Sequence, residues 1–251
     1  MLGGKDGAPD EGAPSGATRT GNRVLEALDA ADAASVLPHL ESVTLTTGQI
    51  LGRTGDAMPW AIFPRDAAVI SLVAVDTDSR TAEAVSIGAE GLVGPSLLDL
   101  PGFGHLQVLM PGHGLRIGTA TLATLSASIP ALRDAVALHA RALLVQTLQS
   151  AVCAALHTVE ARASRWLLLA QDRTGHADVP VTQELLAEML GVRRTTVTRV
   201  IAQLGSRGVI RHRRSRVTIL DRGGLESAAC GCHAALAQRL RHVAPELYPR
   251  A

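Results

Sequence analysis

The sequence predicts an α+β protein with three parts: an N-terminal antiparallel β-roll of the jelly-roll kind, a long helix, and a C-terminal helix-turn-helix followed by a hairpin. Three observations lead to this prediction. Short runs rich in Val, Ile and Thr alternate with Gly, Pro and Asp over residues 42–118, as in small antiparallel rolls and barrels. From Pro130 to about His157 the chain has helical apolar spacing and no further Gly or Pro. Two more helical patterns flank Gly191, which suits a tight turn between helices.

Length and composition favour two folded domains in a cytoplasmic protein. The 251 residues exceed what one small domain needs, and 47% of them are hydrophobic, so a sizeable core is expected. No apolar run approaches the roughly 20 residues of a membrane span. The N-terminus also lacks a basic-then-apolar signal peptide. We therefore expect no membrane association.

Charge is distributed unevenly along the chain, although the total is only +1. Residues 23–126 hold five arginines and eleven acidic residues, a net charge of −6. Residues 177–251 hold twelve arginines and six acidic residues, a net charge of +6. Because phosphate backbones attract cationic surfaces, this asymmetry places a nucleic-acid-binding surface in the second half.

Four segments follow from these patterns. Residues 1–22, rich in Gly, Ala, Pro, Asp and Thr, are predicted to be a disordered tail. The β-roll is predicted over 23–127, the long helix over 128–159, and the DNA-binding unit over 160–251. Within the roll, strands are predicted at Val43–Thr46, Gln49–Leu51, Ala68–Val75, Thr81–Ile87, Leu106–Met110 and Leu115–Ile117.

The long helix carries two apolar stripes, which indicates two buried faces. One face would pack on the helix's own domain, and the other would pair with the same helix of a second chain. A fully buried helix within one chain is the alternative. One stripe comprises Leu138, Ala142, Val145, Val152, Leu156 and Val159. The other contains the residues predicted to form the dimer interface: Leu132, Val136, Leu143 and Thr147.

Residues 181–220 contain the most informative pattern. Thr182 is a suitable N-cap for a first helix, and Gly191 can adopt the left-handed conformation that ends it. The second helix turns Val197, Val200, Ile201 and Leu204 inward at helical spacing. Its opposite side carries Arg193, Arg194, Thr195, Thr198 and Arg199.

A hairpin and a last helix follow. Residues 209–211 and 216–220 are predicted to pair around a turn, forming a wing, and Asp221 to cap one helix through Leu225, Leu236 and Leu240. Between Arg193 and Leu220 the chain has eight arginines and no acidic residue. A solvated surface normally mixes both signs of charge, so this run indicates an anionic partner. The pattern as a whole is that of a winged helix-turn-helix.

These motifs resemble the Crp/Fnr family of transcription regulators from about Asn22 onward. The resemblance rests on MLGVRRTTVT, GVIRHRRSRVTILDR and LESAACGC in the C-terminal half, and on TLTTGQIL, ISLVAV and GAEGLVG in the N-terminal half. It implies a β-roll sensor resembling a cyclic-nucleotide-binding domain, a long dimerisation helix and a winged helix-turn-helix. A homodimer on a near-palindromic double-stranded DNA operator, working with RNA polymerase, is the expected function.

The resemblance also implies roles for individual residues. Arg194, Thr195 and Arg199 occupy the positions that read bases, where arginine binds guanine bidentately. Family members often have an acidic residue at the position of Thr195, so the operator half-site is not predicted. Contacts with DNA phosphates are predicted for Thr182, Arg193, Thr196, Thr198, Arg211, Arg213, Arg214 and Arg216.

No cofactor is predicted for the β-roll. Relatives that bind cyclic nucleotides have a phosphate-binding turn and helix followed by an arginine-serine pair at the GLVGPSLL region, but no arginine lies between Arg80 and Arg116. A cyclic phosphate needs a cation or a helix N-terminus to offset its charge. A helix could begin near Pro95 and Ser96, but the arginine is missing. Cyclic nucleotide is therefore not expected. Nor is the iron–sulfur cluster of the oxygen-sensing relatives, because no cysteine precedes Cys153. Haem remains open, and the candidate ligands are His39, His105, His113, His139 and His157.

Cys230, Cys232 and His233 have the appearance of metal ligands. If they lie on one helix, however, residues two apart point to nearly opposite sides and do not bind one ion. The three cysteines of the chain are also too few and too irregularly spaced for a disulfide framework. We therefore expect no metal site.

The sequence argues against two other functions. A cupin-like metal enzyme would need closely spaced histidines, but His105 and His113 are eight residues apart and no His-x-His occurs. No G-x-S-x-G motif or P-loop is present either, so no enzyme is predicted. The second alternative is a ligand-binding module without a DNA-binding role, against which the arginine-rich helix argues.

Overall fold

The computed structural model describes residues 19–94 and 104–249. Most of the predicted tail, residues 1–18, lies outside this range. Its last residues are part of the folded domain, so the predicted boundary at residue 22 is too late. Asn22 is fully buried, and its side-chain amide donates hydrogen bonds to the carbonyls of Pro64 at 2.9 Å and Gly91 at 2.8 Å.

The β-roll consists of two antiparallel sheets with the strand orders β1-β7-β3 and β2-β6-β4-β5. All six predicted strands are confirmed, and β3 is additional. It contains Pro64, which has no amide to donate, but β3 lies at the edge of its sheet, where a proline is tolerated. The strands are β1 (Glu41–Leu45), β2 (Ile50–Arg53), β3 (Trp60–Arg65), β4 (Val69–Val75), β5 (Thr81–Ile87), β6 (Gly104–Met110) and β7 (Gly112–Gly118).

Helices surround the roll and lead out of it. A 3₁₀ turn at Leu37–His39 joins the N-terminal helices to β1. The helices before and after the roll are α1 (Arg23–Glu26), α2 (Ala30–Val36), α3 (Thr119–Ser128), α4 (Pro130–Leu156) and α5 (Val159–Thr174). The predicted long helix is thus confirmed as α4. It ends at an extended His157, and Thr158 caps α5 by accepting from the amide of Ala161.

Of the residues predicted for the dimer interface on α4, Leu132 and Leu143 lie in the chain's own core, and Val136 and Thr147 are half-buried. Leu132 is fully buried in one hydrophobic cluster, and Val136 packs against that cluster. Leu143 is buried in the core of the roll. The half-buried Thr147 donates its hydroxyl to the Leu143 carbonyl at 2.9 Å. The large apolar residues that α4 exposes are instead Leu144, Leu148, Val152 and Leu156.

The C-terminal part contains two helices, a small sheet and two further helices. The sheet has the order β8-β10-β9. The predicted single last helix is wrong: the extended Ala229 ends one helix, and a second begins after Gly231. The elements are β8 (Asp178–Val179), α6 (Gln183–Leu190), α7 (Arg194–Ser206), β9 (Ile210–Arg213), β10 (Arg216–Ile219), α8 (Arg222–Ala228) and α9 (Cys232–Val243).

Helix α9 packs on α4 rather than on the helix-turn-helix. Leu236 and Leu240 are buried in the same cluster as Leu132. The last part of the predicted unit 160–251 therefore belongs to the core around the long helix. No helix in residues 19–94 and 104–249 combines the length and hydrophobicity needed to cross a bilayer.

A buried polar junction connects the roll to α5. The Arg173 guanidinium pairs with the Glu90 carboxylate at 2.9 Å, and both side chains are almost fully buried. Arg173 also donates to the Ser86 hydroxyl and carbonyl and to Oε1 of Gln146. Nearby, Nε1 of Trp166 donates to Glu83 at 3.2 Å. Since buried charges need compensating partners, this network holds α5 against β5 and the turn that follows it.

Candidate nucleic-acid interface

The turn between α6 and α7 is built by a cap and a glycine. The Thr182 hydroxyl accepts from the amide of Leu185 at 3.0 Å, which satisfies one free donor at the start of α6. Gly191 ends the helix with φ of +64°, a conformation that strains other residues. Val192 then donates its amide to the Ala187 carbonyl at 3.0 Å. The turn thereby fixes the direction in which α7 leaves.

Helix α7 has one buried and one exposed face, as predicted. The predicted inward residues, Val197, Val200, Ile201 and Leu204, are all buried. The outer face exposes Arg193, Arg194, Thr195, Thr198 and Arg199, whereas Thr196 is half-buried. The three predicted base-reading residues thus lie together on one exposed surface.

Weak polar contacts hold parts of this surface in place. Arg194 lies 3.4 Å from the carboxylate of Glu184, and both side chains are largely exposed. The Thr198 hydroxyl donates to Oε1 of Gln183 at 2.7 Å. Exposed ion pairs contribute only about 0–1 kcal/mol, so an anionic ligand can replace Glu184 as the partner of Arg194 at little cost.

The wing presents a second group of arginines beside α7. Arg214 occupies the turn between β9 and β10 with φ of +40°. Arg211, Arg213 and Arg214 are exposed, and among the described residues none of them has a salt bridge. Arg216 differs, because it pairs with Asp178 at 3.1 Å. A hydrogen bond from the Thr218 hydroxyl lowers the pKa of Asp178. The Asp178 carboxylate therefore stays ionised and would compete with a DNA phosphate for Arg216.

Residues 161–228 match the family model of the Crp-like helix-turn-helix domain. This part of the chain is a Crp-like DNA-binding domain. The matched range contains α6, the Gly191 turn, α7 and both strands of the wing. A search among curated proteins gave no match.

Solved structures extend the likeness to the roll and the long helix. A Crp/Fnr-family protein from Eubacterium rectale ATCC 33656 has a TM-score of 0.65 at 13% identity, covering 82% of this chain and 96% of its own. FixK2 from Bradyrhizobium japonicum has a TM-score of 0.63 at 12% identity, covering 76% and 98%. The c-di-GMP-responsive regulator CLP from Xanthomonas campestris has a TM-score of 0.61 at 21% identity, covering 76% and 99%. The chain with this Crp-like domain therefore has the Crp/Fnr fold.

The candidate cofactor ligands of the roll are spread apart. His139 is buried on α4, with Nε2 lying 2.9 Å from the Leu92 carbonyl. His113 on β7 lies 3.4 Å from Asp66. The sequence region proposed for a nucleotide, Gly91 to Asp99, lies partly outside the described residues. The cofactor predictions therefore stay predictions.

The structure also brings together residues that the sequence analysis kept apart. His233 does not join the neighbouring cysteines, because its Nε2 lies 2.7 Å from a carboxylate oxygen of Asp172. Cys230 and Cys232 instead meet Cys153 and His157 at the end of α4, next to the Crp-like domain. Only the closeness of Cys230 and Cys232 in sequence signalled this cluster.

Proposed function

We propose that the protein is a transcription regulator that binds a near-palindromic DNA operator as a homodimer, with α7 in the major groove. The observation that carries the proposal is that α7 and the wing together expose several arginines and contain no acidic residue. Arg194, Thr195 and Arg199 would reach base edges. The phosphate contacts would come from Thr182, Arg193, Thr196, Thr198, Arg211, Arg213, Arg214 and Arg216.

The exposed stripe of α4 supports dimerisation. Leu144, Leu148, Val152 and Leu156 repeat every four residues along one face and are 47–75% exposed. An apolar stripe of this length on a helix is typical of a surface that a second helix covers. Pairing two copies of α4 would set two α7 helices to enter successive major grooves about 34 Å apart. RNA polymerase is the partner that a bound dimer would recruit or block.

Selection from a random duplex library tests the proposal directly. Sequences recovered by the full chain should share an inverted repeat. Arg194→Ala should relax the preference at one base pair of each half-site, costing about 1–3 kcal/mol. Arg241→Ala, an exposed arginine on α9, is the matched control and should select the same sequence. Recovery of unrelated duplexes by the folded wild-type protein would contradict the proposal.

The alternative of a cupin-like enzyme has less support. Across residues 19–94 and 104–249, the one cluster of three or more candidate metal ligands is that of Cys153, His157, Cys230 and Cys232. This cluster lies at the end of α4 rather than inside the roll, where a cupin-like reaction would take place.

A further inference from the structure

Four side chains suited to a soft divalent cation converge at the end of α4. The sulfur atoms of Cys153, Cys230 and Cys232 and a ring nitrogen of His157 all lie within 4.8 Å of one another. Two of these separations are 3.4 Å, between the sulfurs of Cys153 and Cys230, and 3.5 Å, between the sulfur of Cys232 and Nδ1 of His157. Around tetrahedral zinc, with Zn–S near 2.3 Å and Zn–N near 2.0–2.1 Å, neighbouring ligand atoms are about 3.6–3.8 Å apart. The separations of 3.4 and 3.5 Å are close to these values, and the 4.8 Å limit on the others leaves room for small adjustments on binding.

Two features of the backbone bring the ligands together. Cys153 and His157 are four residues apart at the end of α4 and so share one face. Cys230 and Cys232 lie on either side of Gly231, where the chain passes from α8 to α9. Because no continuous helix carries both cysteines, their side chains point to the same side. The prediction of no metal site depended on one continuous helix carrying both cysteines, which the structure does not contain.

A side-chain amide donates a hydrogen bond to one of the sulfur atoms. The Gln149 amide donates to the sulfur of Cys232 at 3.0 Å. Its orientation is fixed, because its oxygen accepts from Arg239, a group that only donates. The Cys232 sulfur is therefore a hydrogen-bond acceptor. Hydrogen-bond donors that contact the ligand atoms orient metal-binding groups and tune the affinity of the site for the metal.

Cationic side chains lie beside the cluster. Arg162 and Arg165 of α5 line one groove with Ala151 and Ala154 of α4, the neighbours of Cys153 along the helix. Three thiolates around one Zn²⁺ carry a net charge of −1, which these guanidinium groups would offset. Simple hydrophobic packing of thiols explains neither the histidine nor the arginines and the amide donor. A set of three sulfurs and one nitrogen this close together is typical of a zinc site.

We infer that Cys153, His157, Cys230 and Cys232 bind one zinc ion, which fixes the junction between α4 and the DNA-binding domain. Binding would release the three thiol protons to solvent. The ion would join the end of the long helix to the start of α9, directly beside the His157–Thr158 link into α5. That the ion thereby affects operator binding rests on the function proposed above.

Cobalt titration of the full chain tests the site itself. The protein is reduced, stripped with a chelator and titrated with Co²⁺ alone. We expect one equivalent to produce the visible bands of tetrahedral cobalt and a thiolate-to-cobalt charge-transfer band, both abolished by equimolar Zn²⁺. His157→Gln and Cys230→Ser, at half-buried positions, should weaken uptake by about 10-fold or more. His242→Gln, an exposed histidine on α9, should leave uptake unchanged.

Several results would overturn the inference. The first is that folded, reduced wild-type protein takes up no cobalt. The second is that both ligand variants still take up cobalt as the wild type does. The third is that the chain is isolated without metal and with a disulfide between Cys153 and Cys230. Operator affinity of the zinc-loaded and stripped forms should differ by roughly 5- to 150-fold, as for coupled sites. Equal affinities would overturn the coupling to DNA. If neither form prefers any duplex while the cobalt bands appear, the proposed function fails and the metal site stands.

Discussion

The buried pair of Arg173 and Glu90 allows a quantitative test of what holds the DNA-binding domain to the roll. Their side chains are only 10% and 7% exposed. Burial alone would raise the pKa of Glu90, but the charge of Arg173 and hydrogen bonds from backbone amides outweigh it, so the pKa lies below its ordinary value. The Glu90 carboxylate is therefore ionised at neutral pH. Arg173→Met would leave that charge buried without its counter-ion.

Removing one partner of a buried pair costs about 3–5 kcal/mol. Arg173→Met also takes the donors away from the Ser86 carbonyl and the Gln146 side chain, so we expect a loss of about 4–5 kcal/mol. In a chain of this size about 1 kcal/mol corresponds to about 2–4 °C, so Tm should fall by about 8–20 °C. Adding Glu90→Gln removes the unpaired charge and should recover about 1 kcal/mol or more.

Urea unfolding, followed by tryptophan fluorescence and circular dichroism, measures these changes. The stabilisation from Glu90 is present above the pKa of the unfolded state, near 4.5, and is lost as the pH falls through the lower folded-state value. Acidification below about pH 4.5 should therefore narrow the gap between wild type and Arg173→Met. Arg133→Met, which breaks an exposed pair with Asp134, is the control and should stay within about 0.5 kcal/mol. A loss below about 1 kcal/mol, or a double variant no more stable than the single one, would refute the reasoning.

Three further predictions concern the dimer, the wing and the half-buried Glu83. Leu148→Asp should give monomers in light scattering and weaken operator binding by about 100-fold or more, because the two DNA-binding domains are no longer linked. A dimer that is unchanged by this substitution would show that the exposed stripe of α4 is not the dimer interface. Arg213→Ala should lower the salt slope of DNA binding by about 0.9 for every sequence. Arg199→Ala should instead cost about 1–3 kcal/mol of binding free energy at one base pair. Filter binding at several salt concentrations separates the two effects, and the control Arg241→Ala should bind as the wild type does. Burial raises the pKa of Glu83 above 4.5, so its stabilisation is complete below the unfolded pKa and is lost as the pH rises through the folded value. Glu83→Gln should therefore gain stability relative to wild type as the pH rises toward neutrality, and a constant difference would contradict this sign.

The local parts of the fold were predictable because their signals lie within a few residues. Thr182 and Gly191 mark the ends of α6 by capping chemistry, and the helical spacing of apolar residues separates the two faces of α7. Strand β3 was missed because its burial does not alternate: four consecutive residues are buried, and a proline such as Pro64 is unfavourable within most strands. Only the position of β3 at a sheet edge makes that proline acceptable.

Features that depend on which surfaces meet were not predictable. Helix α4 is apolar around much of its circumference, so periodicity finds its stripes without showing which one the chain itself covers. The structure buries Leu132 and Leu143 and exposes Leu144 and Leu148. Each exposed leucine directly follows a residue predicted for the interface, Leu143 or Thr147. The cysteine cluster likewise joins side chains 77 residues apart, and it needs a helix break that composition alone did not reveal.

The three functional features meet at one point of the chain, and their arrangement limits how a signal can reach the DNA. The exposed stripe of α4 ends at Leu156, the proposed zinc site includes His157, and α5 begins two residues later. Arg173, at the far end of α5, pairs with Glu90 in the turn after β5. A rotation of the DNA-binding domain about the His157–Thr158 link would therefore separate a buried ion pair unless the Glu90 turn moves with it. It follows that a ligand displacing this turn would act on α5 directly through Arg173, while the proposed zinc ion would hold the end of α4 in place.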